Sequence, residues 1–447
     1  MNAPTDLLRW TPQKLVDFLR AEGIVRTHFV WDESAKTVRP SHPQLAAIAR
    51  FFGEDRRDFQ AHEGVFLQVS RDHDTLQGAF DHRTCRGQAA GGVRYWNYDT
   101  VEDYLRDGLR LAVGMTRKNA LAGLWWGGGK GVMARNPAVD RDDRRVRDAI
   151  YREYGELMTA LRGCYVTAED VGTSVEDMAQ IFRKTRFTTC IPAELGGSGN
   201  PSLPTARGVV AGMIAALEHL DGRGLEGRRV AVQGVGHVGG PLLGLLLEQG
   251  VDSIVACDVD APLVAQVDAS TPAHVEVRCV ERGDPWIFGV DCDVFSPCAT
   301  GAILNPGTIP TLRARVVCGA ANNQLEDSDR DDAAIRDRGI LSVPDFLTNR
   351  MGIVTCADEG AGYVTPDPGI ERHLERDWEH SIHQTCAQVF EEAEASGRPT
   401  GVVATEIADR LSLEEHPAYG HRGAQIIASL VRDRWWKARD PESSPAS

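Results

Sequence analysis

Apolar positions recur with a helical period over a few long stretches and in short strand-like runs between them. From Glu102 to Leu124 the residues Leu105, Leu109, Ala112 and Val113 return at helical spacing, and Gly127-Gly-Gly-Lys130 interrupts them ahead of a short apolar run. The pattern predicts helix, glycine loop, strand. A second amphipathic helix is predicted from about Asp148 to Leu161, and Tyr165-Val-Thr-Ala-Glu-Asp170 reads as the strand that follows, which puts Asp170 at a strand end. The first 60 residues read as helical material around one extended stretch, Thr27 to Trp31.

Turn residues crowd Leu195-Gly-Gly-Ser-Gly-Asn-Pro-Ser-Leu-Pro204, ahead of a helix predicted from about Thr205 to Leu220, so a domain boundary is set near residue 200. Beyond it strand and helix patterns alternate: Arg229 to Gln233, His237 to Glu248, Ser253 to Cys257, then short apolar runs at Val294, Val316 and Leu341. Alternation of this kind predicts a parallel, doubly wound sheet. Two late helical stretches, Arg372 to Ala395 and about Gly423 to Trp436, are expected to return the chain to the first domain. The closing PESSPAS reads as a frayed tail.

Length and composition narrow the function. A chain of 447 residues exceeds one ordinary core and implies two domains. With 42% hydrophobic and 25% charged residues and no apolar run of membrane-spanning length, it reads as a soluble globular protein with no membrane partner. A net charge of -15 without clustered Lys and Arg argues against nucleic acid. The N-terminus lacks the basic start and apolar core of a secretion signal, so a cytoplasmic protein is expected. Ten cysteines are scattered without a CxxC pair, and Cys292 and Cys298 have no second pair or His cluster beside them, so no metal is expected.

The clearest chemical signal is Arg229-Val-Ala-Val-Gln-Gly234-Val-Gly236-His237-Val238-Gly239, a predicted strand running through GxGxxG into a predicted helix. Gly234 permits the tight turn, Gly236 lets backbone approach a pyrophosphate, and Gly239 allows close helix-to-strand packing, while the helix N-terminus faces the phosphates. Asp258 ends the next strand 19 residues after Gly239, where a carboxylate binds both ribose hydroxyls and repels a 2′-phosphate. NAD is therefore the expected cofactor.

The segment Gly114-Met-Thr-Arg-Lys118 through Gly127-Gly-Gly-Lys130 sets two lysines twelve residues apart. A 2-amino acid needs a cation for its carboxylate and a base of lowered pKa near its amino group, and two neighbouring lysines serve both, each charge with burial lowering the other's pKa. This segment resembles the glutamate, leucine, phenylalanine and valine dehydrogenase family. So, in the family's order, do Gly87-Gln-Ala-Ala90-Gly91-Gly92-Val-Arg94, Thr167-Ala-Glu-Asp170-Val-Gly-Thr, Gly199-Asn-Pro-Ser-Leu-Pro-Thr205, Cys318-Gly-Ala-Ala-Asn-Asn323 and Pro344-Asp-Phe-Leu-Thr-Asn349, over about residues 60 to 415.

The resemblance implies an N-terminal α/β substrate and oligomerisation domain (61–200, joined by a C-terminal helix at about 415–447) and a Rossmann-type NAD-binding domain (201–414), with residues 1–60 as an N-terminal extension. By it, Lys118 binds the substrate carboxylate, Lys130 activates water or amine, and Asp170 relays protons. Gly92 and Ala90 border the substrate, Asn349 contacts its amino group, and Thr205 and Asn323 approach the nicotinamide. The implied reaction is NAD-dependent interconversion of an L-amino acid with its 2-oxo acid and ammonia, in an interdomain cleft of a homo-oligomer. Taken singly, Lys118 and Lys130 also read as solvated surface lysines, and Asp170 as a turn or capping carboxylate.

Two departures bear on substrate. Glutamate-specific relatives carry a lysine where this chain has Ala90, so a distal carboxylate loses its partner and an uncharged aliphatic or aromatic side chain is expected. Trp378 and Ile382, placed on the late helix, fit either an apolar slot or the core. The family's Asn-Ala-Gly-Gly-Val is replaced by Asn349-Arg350-Met351-Gly352-Ile353. Arg350 either reshapes the site toward an unusual or acidic substrate, or turns outward while Met351 fills a gap in the core. A specialised or weakly active enzyme, a non-catalytic binding homologue and a hydroxy-acid oxidoreductase are the rival readings.

Overall fold

The computed structural model describes residues 6–140, 142–362 and 364–437, so the PESSPAS tail lies outside them. The chain forms two units, one of residues 1–120, 124–200 and 411–447, the other of residues 121–123 and 201–410. Among the described residues no helix is long and apolar enough to cross a membrane.

Unit 1 is built on seven strands: β1 (Arg26–Asp32), β2 (Thr37–Pro40), β3 (Gly64–Val69), β4 (Leu76–Arg83), β5 (Ala89–Trp96), β6 (Gly127–Ala134) and β7 (Tyr165–Glu169). They lie in the order β2-β1-β3-β4-β6-β5-β7, antiparallel as far as the β4–β6 pair and parallel where β5 runs between β6 and β7. The helices α1 (Pro12–Ala21), α2 (Ala46–Glu54), α3 (Val101–Leu121), α4 (Arg144–Ala160) and α5 (Val175–Phe182) complete it, with the C-terminal helix Arg422–Arg432. The stretch set apart on sequence as an extension supplies β1, β2, α1 and α2. Its Leu15, Leu19, Phe29 and Phe52 share one core with Val65, Phe80, Tyr104 and Leu109.

Gly127 to Lys130 is no loop, contrary to the expectation from its glycines, and belongs to β6, every residue of which is buried. The glycines serve close packing. A Cβ at Gly128 would stand 2.1 Å from the Thr116 backbone nitrogen of α3, one at Gly129 2.8 Å from the Tyr165 ring, and one at Gly131 2.3 Å from the Tyr154 hydroxyl. Helix and neighbouring strand can approach β6 because no side chain intervenes.

Unit 2 carries six parallel strands: β8 (Arg229–Gln233), β9 (Ser253–Asp258), β10 (Val275–Cys279), β11 (Val294–Pro297), β12 (Val316–Val317) and β13 (Leu341–Ser342). Their order, β10-β9-β8-β11-β12-β13, reverses between β8 and β11 and is that of the doubly wound Rossmann sheet, whose ligands bind at this switch point. The helices are α6 (Ser202–Asp221), α7 (Gly239–Glu248), α8 (Ala261–Ser270), α9 (Ser328–Asp337), α10 (Asp345–Thr348), α11 (Met351–Ala361), α12 (Pro368–Glu371), α13 (Ile382–Ser396) and α14 (Thr400–Leu411). The helical stretch expected from Arg372 is broken. After a short turn at Arg372–Leu374 the chain leaves helix, and α13 begins only where the Ser381 side chain accepts the Gln384 N–H as its cap. This helix stays in unit 2 and does not return to the first domain; residues 411–437 do.

Candidate active site

Three parallel neighbours of unit 1 assemble a charged cluster. Lys130 projects from β6, Arg94 from β5, and Asp170 stands one residue beyond β7. Lys130 Nζ lies 2.9 Å and Arg94 Nε 3.1 Å from the same oxygen, Oδ2 of Asp170. Arg94 Nη1 also donates to both oxygens of Asp107 on α3, at 3.1 and 3.0 Å, and the Tyr98 hydroxyl donates to Asp107 Oδ2 at 2.7 Å.

The glycines around the cluster explain how it fits. A Cβ at Gly92 would stand 2.4 Å from the Glu169 carbonyl oxygen and 2.7 Å from Asp170 Cβ, and one at Gly91 2.0 Å from the Gly129 oxygen. The segment after β7 closes as a turn: Asp170 N–H donates to Thr173 Oγ1 at 2.8 Å and Thr173 N–H to the Asp170 oxygen at 3.0 Å. Gly172, at φ +83°, brings the turn against the Tyr95 carbonyl, which a Cβ would meet at 2.2 Å. Asp170 is thus held by backbone on two sides, which is what the run Thr167-Ala-Glu-Asp-Val-Gly-Thr173 encodes.

Burial sets the electrostatics. It pulls Lys130 below the ordinary lysine range, and the Arg94 charge adds to the effect against the opposing attraction of Asp170. The same burial would raise Asp170, yet the two cations outweigh it and hold the carboxyl at about 2. The cation acting on Lys130 is Arg94, where sequence reasoning had assigned that part to Lys118. Lys118 stands half-buried in the last turn of α3. Arg94, Asp107 and Tyr98 are the residues that reading missed. The signal was strand alternation, which puts Gly92 and Arg94 on one face of β5.

Ala90 is fully buried on β5 and pairs with Gly128 and Val166, so a small neutral side chain occupies this position. In unit 2, Asn349 is buried between α10 and α11. Its Nδ2 donates to the Ala320 oxygen at 3.0 Å and to Asn322 Oδ1 at 2.9 Å, while its own Oδ1 is buried with no hydrogen-bond partner among the described residues. A buried acceptor without a donor is costly, and a bound N–H group relieves that cost.

Arg350 does not turn outward. It is fully buried, with Nη1 donating to the Leu121 oxygen at 2.7 Å and to Thr385 Oγ1 at 3.3 Å, and Nη2 donating to the His380 oxygen. Burial lowers its pKa to about 10, so the charge persists at neutral pH, met by the carbonyl oxygens of Leu121 and His380. Met351 is buried in the core as expected. Ile382 is also a core residue, within reach of Gly208 on α6. Trp378 lies ahead of α13 rather than on it, edge-on to His373 and His380.

The fingerprint of unit 2 has the local geometry a dinucleotide needs. Gly234 has φ +94°, and a Cβ there would stand 2.7 Å from that of Ala299; a Cβ at Gly239 would stand 1.9 Å from the Gly234 oxygen. Gly236 faces open space, with nothing within 4 Å of an added Cβ. His237 is exposed and Val238 precedes the first residue of α7. Asp258 ends β9, its Oδ2 accepting the Val235 N–H of the glycine turn at 2.9 Å and its Oδ1 the N–H groups of Val259 and Asp260 at 2.7 and 3.1 Å. Thr205 on α6 donates to the Pro201 oxygen at 2.9 Å, and Asn323 takes a left-handed φ of +52° with its N–H on Asp345 Oδ2. An open Gly236 beside an anchored carboxylate fits a nicotinamide dinucleotide.

Comparison with known proteins settles the lineage. Residues 66–187 match the family model described as Glu/Leu/Phe/Val dehydrogenase, dimerisation domain, and residues 264–413 match Glutamate/Leucine/Phenylalanine/Valine dehydrogenase. The chain belongs to this family. Leucine dehydrogenase of Geobacillus stearothermophilus is 42% identical over 329 residues, 73% of this chain and 84% of that protein. Valine dehydrogenase of Streptomyces virginiae is 38% identical over 354 residues, 79% and 94% of the two chains. Among solved structures, L-tryptophan dehydrogenase from Nostoc punctiforme superposes with a TM-score of 0.64 at 32% identity, covering 78% of this chain and 96% of that one. As a member of the Glu/Leu/Phe/Val family, the chain is an amino-acid dehydrogenase, of a kind that generally uses a nicotinamide cofactor.

Proposed function

We propose that the protein catalyses NAD-dependent oxidative deamination of an L-amino acid with an uncharged side chain, and the reverse reductive amination of its 2-oxo acid. The observation that carries this reading is the buried Lys130–Asp170 contact at 2.9 Å with Arg94 on the same carboxylate oxygen. Lys118 binds the substrate carboxylate, and Asn349 Oδ1 accepts an N–H of the amino group. NAD, held by Gly234, Gly236, His237, Val238, Gly239 and Asp258 with Thr205 and Asn323, supplies a hydride acceptor for the substrate Cα–H.

The proton work falls to unit 1. Lys130, lowered by burial, takes a proton from the water that adds to the substrate imine, and the 2.9 Å contact passes protons between Lys130 and Asp170 as the amine leaves. Asp170 stays ionised at rest because two cations hold it so, which keeps Lys130 oriented between turnovers.

An uncharged substrate side chain is supported by the buried Ala90 and by Arg350, whose Nη groups are engaged by carbonyl oxygens and a hydroxyl rather than free for a distal carboxylate. The leucine, valine and tryptophan dehydrogenases it resembles point the same way. NAD rather than NADP is supported by Asp258, since its carboxylate repels a 2′-phosphate. The description of residues 66–187 as a dimerisation domain supports a homo-oligomer. Ten free cysteines, most of them buried, support a reducing, cytoplasmic setting. A panel of L-amino acids, and of 2-oxo acids with ammonia, followed at the NADH absorbance, tests the reading. Leucine, valine or an aromatic amino acid should lead; glutamate as the best substrate would overturn the substrate class.

A further inference from the structure

Away from the residues assigned to the reaction, three side chains of different ligand chemistry meet in unit 1. Glu63 immediately precedes β3, Cys85 lies in the connection from β4 to β5, and His421 immediately precedes the C-terminal helix. Their ligand atoms all lie within 4.8 Å of one another, and each residue is half-buried, reachable from solvent yet walled by protein. His421 Nε2 is 3.0 Å from Glu63 Oε1 and 3.1 Å from Thr84 Oγ1.

The surroundings hold these groups in place. Thr84 N–H donates to Glu63 Oε1 at 2.8 Å, and the Thr84 hydroxyl donates to Oε2. A Cβ at Gly423 would stand 2.3 Å from Thr84, so the first turn of the C-terminal helix presses on the strand connection that carries Cys85. His416 N–H donates to the Cys85 carbonyl oxygen at 3.0 Å, fixing the other side of that connection.

We propose that Glu63, Cys85 and His421 form a binding site for a zinc(II) ion that fastens the C-terminal helix to the sheet of unit 1. One thiolate, one imidazole and one carboxylate are a zinc donor set, whereas calcium and magnesium call for oxygen ligands throughout. Tetrahedral bonds of about 2.0–2.3 Å require ligand atoms about 3.3–3.7 Å apart, so the three need to shift by only about an ångström. Water completes the fourth position. Thr84 supplies the outer hydrogen bonds that orient the carboxylate. Zinc displaces the proton that His421 Nε2 shares with Glu63 Oε1 and the proton of the Cys85 thiol, and both leave to solvent as the Zn–N and Zn–S bonds form. Spacing rules do not reveal the site, because positions 63, 85 and 421 come together only through the fold.

The test is titration of the chelator-washed full chain with Co²⁺, then displacement by Zn²⁺. One Co²⁺ per chain should bind with a thiolate-to-cobalt charge-transfer band and tetrahedral ligand-field absorption, and Zn²⁺ should abolish both and raise the melting temperature. Cys85→Ser should remove the charge-transfer band, His421→Gln should weaken binding at least about tenfold, and Cys279→Ser, at the exposed cysteine of β10, should change neither. No charge-transfer band in the unmutated protein, or its survival in Cys85→Ser, overturns the site and leaves a hydrogen-bonded contact only. Should Cys85→Ser fail to fold, the unmutated titration and His421→Gln decide the matter.

Discussion

Arg94 Nε approaches Asp170 Oδ2 to 3.1 Å, so the carboxylate that Lys130 contacts already carries a permanent cation. Burial lowers Lys130 most, and Arg94 lowers it further by repelling an ammonium, against the attraction of Asp170. Replacing Arg94 by Gln should therefore raise the Lys130 pKa. A base acts in its neutral form, so the ascending limb of kcat against pH should move to higher pH, and the rate near neutrality should fall by up to about tenfold per unit moved. Arg94→Lys should restore part of the limb's position. An unmoved limb in Arg94→Gln would leave Arg94 a merely structural partner of Asp107.

Lys130 and Lys118 should separate in steady-state kinetics. Lys130→Ala should cut kcat about a hundredfold or more while NADH binding, measured by fluorescence, is retained, because the glycine fingerprint lies in unit 2. Lys118→Ala should chiefly raise KM for the amino acid through loss of its carboxylate partner. Near-normal kcat in Lys130→Ala would remove the base from the mechanism.

Much of this was legible because local patterns and global contacts agreed. The alternation from Arg229 onward maps onto parallel strands, and GxGxxG followed by Asp258 keeps its meaning in any such sheet. The failures share a cause: they depend on what lies across from a residue. Gly127 to Gly129 look like a loop until Thr116, Tyr165 and Ala89 are seen to occupy the space side chains would need. β2 is only four residues long at a sheet edge, and β10 buries just Val275 and Val277, so neither imposes a strong period. Arg350 reads on sequence as a side chain that either reshapes the substrate site or turns outward, yet carbonyls at 121 and 380 and a hydroxyl at 385 receive it inside. Arg94 was visible within its motif, but its tie to Asp107 on α3 was not.

Asp258 predicts the cofactor preference in solution. Its carboxylate is held at the end of β9 by three backbone N–H groups, so it cannot easily swing away from an added phosphate. NAD should support a much higher kcat/KM than NADP, and Asp258→Ala should narrow the ratio by relieving repulsion of the 2′-phosphate while losing the ribose hydrogen bonds to NAD. Equal kcat/KM for the two cofactors in the unmutated protein would count against the assignment.

Acid stability should report on His28. This residue of β1 is buried, and its Nδ1 accepts the indole N–H of Trp435 at 3.0 Å, so that nitrogen must be unprotonated in the folded protein. Burial, with a smaller contribution from His42, lowers its pKa from 6.5 to about 4. Between those values the unfolded chain binds a proton that the folded chain refuses. The stability this linkage governs is therefore fully present above pH 6.5 and is lost as the pH falls toward 4, to a total of about 3 kcal/mol. Melting temperatures measured across that window should drop on acidification, and His28→Gln, which removes one titrating ring, should lessen the drop by that ring's share, since His62 and His373 are also lowered by burial, to about 4 and about 3. If the variant and the unmutated protein lost stability in parallel from pH 6.5 to 4, other groups would govern the acid response and the Trp435–His28 contact would have no part in it.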